Sequence, residues 1–138
     1  MSIASATADV RAAMAALETA YFALQRQIAA SVGSAVYPEV QAACDAVREV
    51  YHVGPLEVVG RSKEGGICWA RHVAMWLVYG HGRMSSPQVG ESFGGRDHGT
   101  VLNACRRVEA ALETDKHRAA QVKQIKAAFD AKVEKQLI

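Results

Sequence analysis

The chain has 138 residues, half of them apolar, with 16 Lys or Arg against 14 Asp or Glu and a formal charge of +2. That length and composition suit one folded domain with a modest core rather than a disordered chain or two full domains. No run approaches the roughly 18 apolar residues of a membrane span, and the amino terminus lacks a basic start followed by an apolar block. The expectation is a cytoplasmic protein without a membrane partner. Its three cysteines, Cys44, Cys68 and Cys105, lack CxxC spacing and read as small core residues in a reducing compartment.

In chain order, Val10, Met14, Leu17, Tyr21, Leu24 and Ile28 alternate four and three apart, a heptad-like seam on a helix starting at a Thr7 or Asp9 cap. Such a seam needs a partner, either the rest of this chain or a second copy in a homodimer. Gly33 and Pro38 break the helix. A second helix, from about Glu39 to His52, presents Val40, Ala43, Cys44 and Val47 to a core, and Gly54-Pro55 ends it. Gly60 to Gly66 reads as a loop carrying Arg61, Lys63 and Glu64. Trp69 to Tyr79 forms a central helix with Val73, Trp76 and Leu77 inward, stopped at Gly80-His81-Gly82.

The next segment is the most specific. SSPQVGESF places Ser86 at an N-cap and Pro87 at the first helical position, with Val89 and Phe93 four apart. A glycine turn then opens into a helix whose Val101, Leu102, Cys105, Val108 and Leu112 make one buried stripe, leaving Asn103, Arg106 and Arg107 on the other face. Two helices so closely linked predict a helix-turn-helix. Charge is concentrated there as well. Residues 60–108 carry seven Lys or Arg against three acids, whereas residues 1–59 carry three against six. A local positive field attracts phosphates. From Lys116 to Ile138 a last helix has Val122, Ile125, Phe129 and Val133 on one side, a candidate to pair with the first helix. The expected organisation is residues 1–34 as amphipathic helix and linker, 35–116 as the helix-turn-helix domain, and 117–138 as a carboxy-terminal helix.

The run SSPQVGESFGGRDHGTVLNACRRVE, extended backward through WARHVAMWL and VQAACDAVREVYHVGPLEVVGRSK, resembles the carboxy-terminal DNA-binding domain of DnaA, the bacterial replication initiator, from about Tyr37 to Lys116. The resemblance implies an all-α, Trp-repressor-like helix-turn-helix fold and binding to double-stranded DNA. In that family the Arg-Asp-His start of the second helix enters the major groove and an arginine near the preceding basic loop reaches the minor groove, which implies these roles for Arg96, Asp97, His98 and Arg71. Gly99 stands where the family carries a threonine, and the loop is less basic than the family's, so an altered sequence readout is expected. No GxxxxGK[ST] phosphate loop is present, so neither nucleotide binding nor ATPase activity is implied.

The chemistry of these residues suits the assignment. Arginine forks onto guanine edges or phosphates, neutral histidine both donates and accepts, and Thr100 offers a methyl to thymine or a hydroxyl to phosphate. Asp97 either accepts from a cytosine amino group or caps the helix. Ser86 and Gln88, beside backbone amides, are candidates for phosphate oxygens, and Arg61 and Lys63 of the basic loop complete the expected DNA-binding set. Arg106 and Arg107 read as a solvated face with at most a backbone contact. Cys68 and His72, four apart, are two ligands without a second pair, and no metal, cofactor or catalytic group is expected. The expected function is sequence-specific DNA binding as a nucleoid-associated replication accessory, competitor or transcriptional regulator. An alternative, favoured by Gly99 and Glu64, is a helical protein-interaction module acting through its first helix.

Overall fold

A computed structural model of the protein describes residues 3–31 and 38–136. Among these there are seven helices and no strand, in agreement with an all-α fold: α1 (Ile3–Ser31), α2 (Pro38–Tyr51), α3 (Pro55–Val59), α4 (Gly65–His81), α5 (Ser86–Ser92), α6 (His98–Thr114) and α7 (Lys116–Gln136). The chain divides into two units, residues 1–37 and 38–138. No described helix is long and apolar enough to cross a membrane.

The first unit is α1. Its helix begins at Ile3, so Thr7 and Asp9 lie within it rather than at its cap. Val10, Met14, Leu17 and Leu24 of the seam are exposed, whereas Phe22 is buried. The side chain of Ile28 and the break at Gly33 lie outside the described residues.

In the second unit α4 is the central strut, packed by α2, α3, α5 and α6, while α7 lies mainly along α2 and also against α6. The apolar stripes read from spacing account for these contacts. Ala43, Cys44 and Val47 of α2, Val73 and Val78 of α4, and Val101 and Val108 of α6 are fully buried. On α7, Val122, Ile125, Phe129 and Val133 face inward. Lys132 pairs with Glu49 at 2.7 Å and Gln136 donates to the Pro38 carbonyl, holding α7 to α2. Burial pushes the Cys44 thiol up to about 12 and the Cys105 thiol to about 11, with Asp45 and Glu109 adding to each. These two thiols behave as small apolar groups.

Two element boundaries differ from the sequence reading, each for a local reason. Pro55 to Val59, which spacing left unassigned, is a helix, because Pro55 has a preset φ for its first turn and the Gly54 amide donates to the Glu57 carboxylate. α4 starts at Gly65 rather than Trp69, because the Glu64 carboxylate accepts from the Gly66 and Ile67 amides at 3.0 and 2.9 Å. Those bonds cap a first turn that two glycines would otherwise leave frayed, and they hold the Glu64 carboxyl below its usual range.

Backbone touches backbone where α5 meets the start of α6. The Arg96 amide donates to the Gly90 carbonyl at 2.9 Å, and a Cβ at Gly90 would lie 1.9 Å from the Arg96 carbonyl oxygen. The helix pair can close only over a residue without a side chain. Gly90→Ala is expected to lower unfolding free energy by about 3 kcal/mol, because nothing but backbone movement relieves the clash; urea denaturation followed by circular dichroism measures it.

Candidate nucleic-acid interface

The helix-turn-helix consists of α5, a turn over residues 93–97, and α6. Ser85, not Ser86, is the N-cap of α5: its hydroxyl accepts from the Gln88 amide, and the Gln88 side chain accepts from the Ser85 amide at 2.8 Å. This reciprocal box places Ser86 and Pro87 in the first turn and engages the Gln88 carboxamide within the helix. Phe93 is fully buried just beyond α5, and Gly94 follows with φ +86, a left-handed geometry that only glycine adopts cheaply. Asp97 is the N-cap of α6, accepting from the Thr100 amide at 2.8 Å and the Thr100 hydroxyl at 2.7 Å. Both bonds draw its carboxyl below the usual range, the hydroxyl contributing most.

The first turn of α6 therefore presents His98, Gly99 and Thr100, all exposed, at a helix amino terminus. A positive helix end suits anionic groups. Arg61 and Lys63 are exposed on the loop before α4, and the Arg61 guanidinium donates to the Gly94 carbonyl at 2.8 Å, tying that loop to the turn of the helix pair.

Two arginines do not take the places the resemblance implies. Arg71 is only 5% exposed. Its guanidinium donates to the carbonyls of Val58 (2.6 Å), Gly60 (3.1 Å), Glu57 (3.2 Å) and Ser62 (3.2 Å), so it cannot extend into a minor groove without unmaking them. Arg96 is half-buried and donates to the carbonyls of Val59, Phe93 and Gly60. It joins the end of α3 to the start of α6 instead of pointing a free fork at bases. Apart from that of Phe93, the carbonyls these arginines meet belong to the short helix α3 and its exit loop. Sequence spacing gave no sign of this, since arginine forks serve phosphates and carbonyls alike.

The cluster of Arg61, Arg71 and Arg96 is held by carbonyl dipoles. Burial, then Arg71 and Arg61, push the Arg96 pKa down. His72, next along α4, is also pushed down, first by burial and then by Arg107, Arg71 and Arg96. Positive charge at this face thus exceeds what its neighbours neutralise. Among the described residues no three metal-ligating side chains come together.

Residues 40–108 match the family model described as the bacterial dnaA protein helix-turn-helix. This covers α2 through most of α6, the very elements that build the helix pair and its basic loop. The chain belongs to the bacterial DnaA helix-turn-helix family. It is 40% identical over 72 residues to the chromosomal replication initiator protein DnaA of Mycoplasma capricolum, covering 52% of this chain and 16% of that protein. It is 38% identical over 79 residues to that of Methylacidiphilum infernorum and 30% identical over 79 residues to that of Trichormus variabilis, in each case 57% of this chain and 17% of the relative. The chain thus spans about a sixth of the length of these DnaA relatives. α1 and α7 lie outside the matched residues.

Arg96 in this DnaA-type fold is a positioning residue. Arg96→Ala is expected to lower stability by about 2 kcal/mol, because it strands part-buried carbonyls, and Arg96→Lys to recover less than half, since one ammonium cannot fork across three acceptors. Chemical denaturation of both variants, with helix content checked by circular dichroism, tests this.

Proposed function

We propose that the protein binds double-stranded DNA in a sequence-dependent way through its DnaA-type helix-turn-helix. The observation that carries this reading is the first turn of α6, where His98 and Thr100 stand exposed at a helix amino terminus, with the exposed Arg61 tied to the turn before it. α6 would enter the major groove with His98 and the Thr100 methyl toward bases. Asp97 sets the helix start and offers its remaining oxygen to a base amino group. Ser86, Gln88, Arg61 and Lys63 lie where backbone phosphates would fix the register. Arg71 and Arg96 contribute by holding the loop and α6 together.

It acts by occupying initiator-like sites, as an accessory or competitor in replication or as a transcriptional regulator, in the cytoplasm on the nucleoid. Gly99 leaves the base at that position without a side-chain contact, which relaxes specificity there. Fluorescence anisotropy with a DnaA-type box and a scrambled duplex is expected to show tighter binding to the box, with a log-log salt slope of about −4 to −5 for four to six phosphate contacts. His98→Ala is expected to weaken box binding by about 1 to 3 kcal/mol and scrambled binding less. Absence of binding at low salt would overturn the reading.

A second property is supported by α1, where Val10, Met14, Leu17 and Leu24 are exposed at heptad-like spacing. We infer that this seam pairs with a second copy, so that two helix-turn-helix units act together; the same surface would serve a protein partner if the DNA reading failed. Light scattering is expected to give a dimer for the full chain and a monomer for Leu17→Asp.

A further inference from the structure

A groove of about 450 Å³ runs between the amino-terminal half of α4, the carboxy-terminal half of α6 and the start of α7. Its charged lining is Arg107 and Arg118 against Asp115, with His72 and Trp69 as its ring-bearing wall. A second groove of about 380 Å³ adjoins it, sharing Gly65, Trp69 and Arg118. Arg118 lies over the Trp69 ring, 4.3 Å from its centre, and the indole nitrogen donates to the Tyr51 hydroxyl at 2.8 Å, which fixes the plane on which the guanidinium rests. Asp115 caps the start of α7, its carboxylate accepting from the Arg118 amide at 3.0 Å, and meets the guanidinium at 3.9 Å, while the Arg118 side chain stays 48% exposed.

This groove continues the recognition helix. Thr100, Asn103 and Arg107 are exposed at i, i+3 and i+7, a single stripe of α6 about 10 Å long, and Arg107 at its end lines the groove. We propose that the groove is a second backbone site, in which Arg107 and Arg118 hold phosphates of the DNA strand that leaves the α6 surface. Trp69 positions Arg118 by stacking, and α7, outside the residues that match the DnaA family model, thereby becomes part of the DNA-binding surface. The groove's field is positive on independent grounds. Around His72 stand Arg71 on its own helix, Arg96 and Arg107 from the helix-turn-helix, and Arg118 and Asp115 from the α6–α7 corner, and its pKa is depressed by burial and then by Arg107, Arg71 and Arg96. A phosphate there reverses that depression.

The inference rests on the DNA-binding reading above, and its test separates the two. Arg118→Ala and Arg107→Ala are each compared with the wild-type chain on box and scrambled duplexes across a salt series, with thermal melts to confirm folding. Each is expected to make the salt slope shallower by about one and to weaken binding about 5- to 10-fold near 0.1 M salt, the effect of one released counterion, equally on both duplexes. Arg118→Lys is expected to restore most of the affinity. In the wild-type chain the His72 ring resonances should titrate at higher pH with DNA bound than without. Unchanged slopes and affinities in folded variants, while wild-type protein still binds DNA, would overturn the second site and leave the helix-turn-helix reading intact. A loss confined to the box would overturn its assignment to the backbone. Competition by inorganic phosphate beyond an equal ionic strength of chloride would reassign the groove to a free anion.

Discussion

The helix-turn-helix half of this protein depends on how a five-residue helix ends. α3 exposes its last carbonyls where its chain turns toward α4, and carbonyls left without partners in a part-buried site cost on the order of 1 to 3 kcal/mol each. Arg71 from α4 and Arg96 from the turn before α6 meet them from two directions, sharing the Gly60 carbonyl. One satisfied helix end therefore fixes three things: the path of the basic loop, the start of α4 and the placement of the recognition helix. Arg61 adds a third tie, from the loop to the Gly94 carbonyl.

The same arrangement sets the electrostatics. Because carbonyl dipoles rather than carboxylates hold Arg71 and Arg96, their charge is oriented but not cancelled, and the pKa values of Arg96 and His72 are lowered first by burial and then by the neighbouring arginines. Close like charges oppose folding and attract a polyanion for the same reason. The acids present at this face are engaged locally, Glu64 in capping α4 and Asp97 in capping α6, so each marks a helix start while its negative charge sits against helix amides. Glu64, which at first sight argues against a nucleic-acid surface, has a structural task that accounts for it.

Helix–helix closure rests on absent side chains as much as on present ones. Gly90 lets α5 touch the Arg96 backbone, and Gly94 turns left-handed where a Cβ would lie 2.2 Å from the Val59 carbonyl oxygen. Both glycines serve the same corner that Arg96 ties. That corner holds Phe93 in the core and so links packing to the position of α6.

Much of this was legible in the chain itself. Apolar spacing identified the buried stripes of α2, α4, α6 and α7, because a helix that must hide one face repeats its apolar residues every three or four positions whatever it packs against. The GGRDHGTVLNACRRVE signature carries the DnaA resemblance by itself, since its glycines and capping aspartate are demands of the local backbone. Tertiary structure alone decided what the arginines do. Arg71 meets a carbonyl 13 residues away and Arg96 one 37 residues away, and a guanidinium fits a carbonyl as well as a phosphate, so its partner is set by what folding brings within hydrogen-bond reach. The groove over Trp69 was hidden for the same reason, because its walls come from α4, α6 and α7, whose proximity no local pattern encodes.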